Sequence, residues 1–319
     1  MDKIKVLAND GISNAGKSLM INAGFDVITD KVAQENLISF INAENVSVLI
    51  VRSATTVRKE VFDSCPNLKL VARGGVGMDN IDVEYGRSKG VTIANTPASS
   101  SQSVAELVMG HLFSLARFLN DSYKNMETGD FSALKKKYGK GTELRGKTLV
   151  IVGFGRIGQS LASYALGCGM EVLAVGFRVY TVDVQVPIGL KQSVTVPITT
   201  VTDLNAVLPK ADFISLHIPK QADGSAVIAK KEFELMKPTA YIINAARGGV
   251  VNETDLLTAL NDGKVAGAAI DVFENEPSPM KELLSHSKIA TTPHVGAATI
   301  EAQDRIGEEL ANIVISAFG

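Results

Sequence analysis

Short apolar runs alternate with amphipathic stretches over the first part of the chain. The apolar runs predict β-strands at Ile4–Ala8, Asp26–Ile28, Val48–Val51, Leu68–Ala72 and Thr92–Ala94. Helical periodicity lies between them, near 15–23, 32–43 and 58–64. Strands that alternate with helices predict a parallel sheet covered by helices on both faces.

A second alternation of the same kind follows. Apolar runs near 148–152, 171–175, 212–216, 240–243 and 266–270 predict a second parallel sheet. A last helix, over 299–316, is expected to return to the first domain. The pattern therefore predicts an α/β protein with two doubly wound, Rossmann-like domains. The first domain is discontinuous, with residues 1–97 and 294–319, and the second spans 98–293.

Three segments are less clear. Ser103 to Glu106 has the form of a capping box and is expected to open a helix that runs to about Leu119. The polar stretch 120–143 is either a solvated loop or an arm that reaches a second subunit. Residues 179–200, rich in Val, Thr and Pro, are left irregular.

Composition narrows the class of protein. Apolar residues make up 45% of the chain, enough for a large core, and a net charge of −2 gives no nucleic-acid footprint. Cys65 and Cys168 fit neither a metal nor a disulfide pattern. The N-terminus lacks the apolar stretch of a signal peptide, and no run is long enough to span a membrane. A soluble cytoplasmic protein without a metal is expected.

The glycines after the run at 148–152 carry the strongest chemical signal. Gly153, Gly155 and Gly158 have the G-x-G-x-x-G spacing between a predicted strand and a predicted helix. The first permits a tight turn, the second lets a pyrophosphate approach the backbone, and the third lets helix and strand pack closely. The helix N-terminus then offers free N–H groups to the phosphates. This context predicts a dinucleotide site.

Two arginines follow neighbouring predicted strands of the first domain. Arg52 stands before Ser53, and Arg73 stands before a glycine-rich segment that includes Gly75 and Val76. A guanidinium fork binds carboxylate or phosphate at two points, which suits a small anionic ligand. The alternative is that both arginines form surface salt bridges.

Four downstream clusters give the chain a family resemblance. They are His217-Ile218-Pro219, Asn244-Ala245-Ala246-Arg247-Gly248-Gly249, Asp271-Val272-Phe273-Glu274-Asn275-Glu276-Pro277 and Pro293-His294-Val295-Gly296-Ala297. With the glycine motif, they resemble the D-isomer-specific 2-hydroxyacid dehydrogenase family over nearly the whole chain. Within the family, the segments 51–55, 73–82 and 141–148 are most similar to those of the 3-phosphoglycerate dehydrogenases. The resemblance makes 1–97 with 294–319 the substrate-binding domain and 98–293 the dinucleotide-binding domain.

The resemblance implies three catalytic residues. Oxidation of a 2-hydroxy acid removes a hydroxyl proton and passes a hydride to nicotinamide, and histidine suits the proton transfer. His294 is expected to take the proton in oxidation and return it in reduction. Glu276 is expected to fix the imidazole and stabilise its charged form. Arg247 is expected to bind the substrate carboxylate and polarise the carbonyl.

Other site residues carry over from the same motifs. Substrate binding is expected from Arg52, Ser53, Arg73, Gly75 and Val76. Cofactor binding is expected from Gly153, Gly155, Arg156, Ile157, Gly158, Gly176, Arg178, His217, Ile218, Pro219, Ala245, Asp271, Gly296 and Ala297. Asp271 is expected to accept from the nicotinamide carboxamide.

One position departs from the family pattern. The second strand of the coenzyme domain usually ends in an acid that binds the adenosine ribose, and Gly176 stands there in this chain. The absence of that acid removes discrimination against a ribose 2′-phosphate, which Arg178 could bind. NAD(H) is therefore the expected cofactor, with NADP(H) as a live alternative.

The expected reaction is oxidation of 3-phosphoglycerate to 3-phosphohydroxypyruvate, the entry to serine biosynthesis. The first alternative is a hydroxypyruvate or glyoxylate reductase of the same family, and the remote one is a dinucleotide-sensing co-repressor. The resemblance also implies a homodimer, in which Lys135 to Lys137 could reach the neighbour's substrate phosphate. A C-terminal regulatory domain is not expected.

Overall fold

The computed structural model describes residues 3–127 and 129–319. These residues form two compact units. One contains the described residues up to Ser101 together with Ala297–Gly319, and the other is Gln102–Gly296. Each unit has its own parallel sheet, which confirms the predicted α/β class with two Rossmann-like sheets.

The first unit is built on a parallel sheet with the strand order β2-β1-β3-β4-β5. Its strands are β1 (Lys5–Ala8), β2 (Asp26–Ile28), β3 (Val48–Val51), β4 (Leu70–Arg73) and β5 (Thr92–Asn95). Its helices are α1 (Asn14–Asn22), α2 (Leu37–Ala43), α3 (Lys59–Ser64), α4 (Val83–Ser88) and the returning α12 (Ile300–Phe318). In β3 all four residues are buried, as expected of a central parallel strand.

The second unit has a parallel sheet with the order β13-β12-β11-β10-β6-β7. Its strands are β6 (Thr148–Val152), β7 (Glu171–Val175), β10 (Phe213–Leu216), β11 (Tyr241–Asn244), β12 (Gly267–Ile270) and β13 (Ile289–Thr291). Its helices are α5 (Ser101–Arg117), α6 (Leu119–Asn125), α7 (Phe131–Tyr138), α8 (Arg156–Gly167), α9 (Lys230–Leu235), α10 (Glu253–Asn261) and α11 (Lys281–Ser285).

Residues 179–200 are not irregular. They form an antiparallel hairpin of β8 (Thr181–Ile188) and β9 (Gln192–Thr199), paired from Thr181↔Thr199 to Ile188↔Gln192. The strands carry Pro187 and Pro197, which argue against a central strand. A two-stranded ribbon leaves one edge of each strand unpaired, so it tolerates both prolines.

Two other expectations on local structure are corrected by the structure: the helix start at Ser103 and the reading of 120–143 as a loop. Helix α5 begins at Ser101, so Ser103 is a buried residue inside the helix rather than its cap. No glycine or proline separates Ser101 from Ser103, so nothing in the sequence stops the helix from starting earlier. The stretch 120–143 contains α6 and α7, and Asp130 caps α7 by accepting from the N–H groups of Ser132 and Ala133.

Among the described helices, none is both long and apolar enough to cross a membrane.

Candidate active site

The glycine loop after β6 is shaped by close backbone contacts. A Cβ at Gly153 would overlap the carbonyl of His217, and a Cβ at Gly158 would overlap the carbonyl of Gly153. Gly153 also has a φ of 95°, which favours glycine. At Gly155, in contrast, a Cβ would meet nothing within 4 Å. Open space above Gly155 and the N-terminus of the twelve-residue α8 form a cradle that fits a pyrophosphate.

The segment after β7 is fixed to this loop. Gly176 donates its N–H to the carbonyl of Val201 at 2.9 Å, and the Tyr180 N–H donates to the Thr200 hydroxyl at 3.0 Å. The Tyr180 hydroxyl donates to the carbonyl of Phe154, inside the glycine motif, at 3.0 Å. Tyr180 was not predicted from the sequence, because no motif marks it.

Arg178 lies on the same segment and stacks on two aromatic rings. Its guanidinium carbon is 5.3 Å from the centre of the Phe177 ring and 5.8 Å from that of Tyr180. Cation–π contacts of this length hold a guanidinium in place without consuming its hydrogen bonds. The exposed Phe177 ring therefore holds a cation two residues beyond Gly176, the predicted ribose position.

The segment after β10 meets the glycine loop through Ile218, whose side chain lies against Gly153. The His217 imidazole points elsewhere: its Nε2 is 2.8 Å from the Ser215 hydroxyl, and its Nδ1 is buried. Burial lowers the pKa of His217 to about 4, so the ring is neutral at pH 7. The backbone of His217, rather than its side chain, is the part that borders the loop. Pro219 is exposed.

Arg247 is carried by a turn after β11. The buried side chain of Asn244 accepts from the Ala246 N–H at 3.1 Å and donates to the Arg247 carbonyl at 3.0 Å. The Arg247 guanidinium donates to the carbonyl of Ala246 at 2.7 Å. The turn thus fixes the backbone of Arg247 and leaves its side chain half-buried.

His294 has a backbone conformation that is costly for any residue with a side chain. Its φ is 53°, in the left-handed region, where strain of about 1–3 kcal/mol is found mainly at functional sites. Asp271 holds this turn. Its carbonyl accepts from the His294 N–H at 2.8 Å, and its carboxylate accepts from Val295 at 2.9 Å and Gly296 at 3.0 Å.

Asp271 therefore has a role that the sequence did not reveal. Asp271 is 1% exposed, and its Oδ1 also accepts from the Thr292 hydroxyl at 2.6 Å. The expected hydrogen bond from the nicotinamide carboxamide would use the acceptor capacity of the Asp271 carboxylate that these bonds leave free. That contact stays a prediction. Ala297 belongs to the other unit, where its carbonyl accepts from Gln303.

Glu276 meets His294 directly. The imidazole Nδ1 lies 2.8 Å from Glu276 Oε2, while Oε1 accepts from the Phe273 N–H at 2.9 Å. Both side chains are partly exposed, at 45% for His294 and 37% for Glu276. A carboxylate on Nδ1 fixes the imidazole tautomer and orients the ring, which is the arrangement of a general acid–base histidine.

In the first unit, the structure brings Arg52 and Arg73 to the same edge of the sheet. Val51 pairs with Arg73 between β3 and β4, so Arg52 follows directly beside it. Asp10 accepts from the backbone N–H groups of Arg52 at 2.7 Å and Thr55 at 3.0 Å. The Arg73 guanidinium folds against Gly75, where a Cβ would collide with it.

The remaining predicted substrate residues lie on loops at this edge. Ser53 is exposed, and the carbonyl of the partly exposed Val76 accepts from the Asn95 side chain at 2.6 Å. The Asn80 amide donates to the carbonyls of Arg52 and Thr55, at 2.8 and 2.6 Å. Asp10 and Asn80 were missed because a polar residue in a loop carries no spacing signal of its own.

The glycine cradle together with the His294–Glu276 pair defines the second unit as that of a dinucleotide-dependent oxidoreductase. The model of the family described as D-isomer specific 2-hydroxyacid dehydrogenase, NAD binding domain, matches residues 109–296. The chain belongs to the D-isomer specific 2-hydroxyacid dehydrogenase family, and its cofactor is NAD(P).

Relatives with two different substrates match almost equally well. A hydroxypyruvate reductase of Thermotoga maritima is 36% identical over all of both chains. A D-3-phosphoglycerate dehydrogenase of Methanocaldococcus jannaschii is 37% identical over 97% of this chain, which spans 56% of that relative's length. Among solved structures, D-mandelate dehydrogenase of Rhodotorula graminis has a TM-score of 0.85 at 24% identity over 100% of this chain and 95% of its own, a likeness of fold.

Proposed function

We propose that this chain catalyses NAD(P)-dependent oxidation of 3-phosphoglycerate to 3-phosphohydroxypyruvate, and the reverse reduction. The observation that carries the chemistry is the 2.8 Å contact between His294 Nδ1 and Glu276. The observation that favours this substrate is the pair of arginines, Arg52 and Arg73, at one edge of the first sheet. Two guanidinium groups suit a ligand with both a carboxylate and a phosphate.

In this mechanism, His294 is the general base of the oxidation. Because Glu276 holds Nδ1, Nε2 takes the proton of the substrate hydroxyl as the C2–O bond becomes a carbonyl. Glu276 stabilises the imidazolium that forms, and Arg247 binds the substrate carboxylate and polarises the carbonyl. NAD(P), when bound, would supply the acceptor for the hydride of C2. In reduction, His294 returns the proton to the oxygen.

Arg52→Ala should separate the phosphorylated substrate from the others. Charge-assisted hydrogen bonds contribute about 1.5–3 kcal/mol each, so KM for 3-phosphoglycerate should rise about 10–100-fold. KM for D-glycerate, which lacks the phosphate, should barely change. Steady-state kinetics on both substrates test this.

The matched control is Arg58→Ala, which removes an arginine from the same unit. Arg58 is paired with Asp82 at 3.0 Å, so its loss should leave both KM values unchanged. If Arg52→Ala weakens both substrates equally, Arg52 binds the shared carboxylate or is structural, and the phosphate assignment is wrong.

The second candidate is reduction of hydroxypyruvate or glyoxylate. It is favoured by the Thermotoga maritima hydroxypyruvate reductase, which matches this chain from end to end. Gly176 also supports it, because a reductive role fits use of NADPH. Reductase activity with 3-phosphoglycerate inert would make this candidate the function.

We further propose that Arg178 binds the ribose 2′-phosphate, so that the site accepts NADP(H). Gly176 offers no carboxylate to repel that phosphate, and Arg178 is held beside it by Phe177 and Tyr180. The solved NADPH-dependent glyoxylate/hydroxypyruvate reductase of Sinorhizobium meliloti contains NADP. It is 24% identical and has a TM-score of 0.79, over 100% of this chain and 94% of its own.

Gly176→Asp should shift the preference toward NAD(H). The new carboxylate would repel the 2′-phosphate and accept from the ribose hydroxyls, an effect of roughly 2–3 kcal/mol, or about 30–150-fold in relative kcat/KM. A Cβ at this position would lie 3.3 Å from both the Arg178 carbonyl and the Tyr180 ring, so small local shifts accommodate it. Titration of both cofactors measures the change.

Gly176→Ala is the control for crowding, since it adds the Cβ without the charge. It should change the affinity for both cofactors alike. A parent enzyme that prefers NAD(H) a thousandfold would show that another residue selects the ribose, and the Arg178 assignment would be wrong.

We also propose a homodimer formed through α5, α6 and α7. These helices expose large apolar side chains, including Tyr123 at 88%, Phe131 at 66% and Leu119 at 55%, and exposed apolar patches mark interaction surfaces. Lys137 is paired with Asp121, so Lys135 and Lys136 are the better candidates to reach a neighbour's substrate.

Light scattering at micromolar concentration should give about twice the chain mass of 33.8 kDa. Tyr123→Lys and Phe131→Lys should shift the equilibrium toward the monomer, because each places a charge in the apolar surface. A monomeric parent protein would disprove the dimer.

A further inference from the structure

Glu253 is a buried acid to which the proposed mechanism gives no part. It is the first residue of α10, and it is 3% exposed. Its Oε2 is buried and has no hydrogen-bond partner within the described ranges. An unsatisfied buried polar atom is destabilising, and glutamates are almost never fully buried without a partner.

The other half of this carboxyl is firmly bound. Glu253 Oε1 accepts from the Glu274 N–H at 2.7 Å, and Glu274 Oε1 accepts from the Glu253 N–H at 3.0 Å. The two glutamates thus exchange side chain-to-backbone hydrogen bonds. This exchange joins the N-terminus of α10 to the segment 273–276.

That segment carries Glu276. The Phe273 N–H donates to Glu276 Oε1 at 2.9 Å, and Glu276 Oε2 lies 2.8 Å from His294 Nδ1. On its other side, the segment is pressed against Gly248, where a Cβ would overlap the Phe273 carbonyl. The segment is therefore held between the turn that carries Arg247 and the carboxyl of Glu253.

We propose that Glu253 is a positioning residue, which holds the Glu274 peptide and thereby sets the place of Glu276 beside His294. It acts on the reaction only through Glu276. The inference rests on the proposed acid–base role of His294 and Glu276. Displacement of a catalytic group by about 1 Å can cost 10²-fold in rate, so a residue outside the reacting groups can control turnover.

A neutral carboxyl suits this position. Burial raises the pKa of Glu253, and although the Glu274 N–H opposes the rise, the charges of Glu274 and Glu276 add to it. Glutamine, which is neutral and has the same shape, is therefore the conservative replacement.

The first test compares Glu253→Ala with Glu253→Gln. Glu253→Ala should lower kcat about 10–100-fold, with KM for the cofactor within about threefold, because Glu276 is displaced while the glycine loop is untouched. Glu253→Gln keeps the acceptor for the Glu274 N–H and should retain most of kcat. A Gln variant as impaired as the Ala variant would overturn the proposal.

Asn252→Ala is the control for a loss of helix stability. Asn252 caps α10 by accepting from the Asp255 N–H at 2.9 Å, and among the described residues its side chain has no hydrogen bond to the 273–276 segment. The variant should lower Tm with kcat unchanged. If it lowers kcat as much as Glu253→Ala does, Glu253 stabilises the helix and nothing more.

Two further readouts separate positioning from general instability. Amide hydrogen exchange at Phe273 and Glu274 should speed up in Glu253→Ala and not in Asn252→Ala, whatever the substrate. In a Glu276→Ala background, Glu253→Ala should have no additional effect on kcat, because both act through one group. Additive losses would overturn the proposal. An active His294→Asn variant would instead contradict the proposed function.

Discussion

His294→Asn should lower kcat about 10²–10⁴-fold, the usual contribution of a general acid–base group. Asparagine adopts the left-handed conformation more readily than most residues, so it suits the φ of 53° at this position. Asp271 accepts three hydrogen bonds from backbone N–H groups of the turn, and these bonds survive the change. The loss should therefore appear in turnover, with cofactor affinity unchanged in a fluorescence titration.

His286→Asn is the matched control. His286 lies in the same unit, near Asn261. Its removal should leave kcat within about twofold of the parent, because His286 is neither a proposed catalytic residue nor a proposed binding residue. If His294→Asn keeps more than about a tenth of the parent kcat, His294 is not the general acid–base group.

Arg247→Ala should cost a similar amount, and the loss should fall on kcat/KM. Two charge-assisted hydrogen bonds to a carboxylate, at about 1.5–3 kcal/mol each, give a loss of about 10²–10⁴-fold. The turn itself should persist, because Asn244 and Val250 bond the main-chain carbonyl of Arg247. Kinetics with any 2-hydroxy acid that the parent oxidises provide the measurement.

Arg247→Lys distinguishes charge from shape. Lysine keeps the charge but cannot present the planar fork, so it should recover only part of the lost kcat/KM. Full activity in the alanine variant would show that the substrate carboxylate is bound elsewhere.

The regular elements were predictable because their apolar runs are continuous. In β3 every residue is buried and apolar, and so are Leu149 to Val152 of β6, so each stretch reads as an unbroken apolar run. The hairpin β8–β9 was missed although Val182, Val184 and Val186 alternate with polar residues. Pro187 and Pro197 interrupt that pattern, because proline disfavours a strand inside a sheet.

The proposed catalytic residues could be identified in the sequence only through their motifs. His294 and Glu276 are eighteen residues apart along the chain, and the periodicity of the sequence gives no sign that they touch. The residues that hold the site left no signal at all. Glu253 and Tyr180 each bond one backbone atom through the side chain, and such bonds depend on folded geometry rather than on spacing.

Steady-state assays on the parent enzyme test the proposed substrate most directly. 3-Phosphoglycerate, D-glycerate, glycolate and D-lactate should be compared with NAD and NADP, together with the corresponding reductions. We expect the 3-phosphoglycerate couple to have the highest kcat/KM, by about tenfold or more, because one charge-assisted hydrogen bond to the phosphate raises kcat/KM by at least that factor. Turnover of hydroxypyruvate or glyoxylate with the phosphorylated couple inert would contradict it.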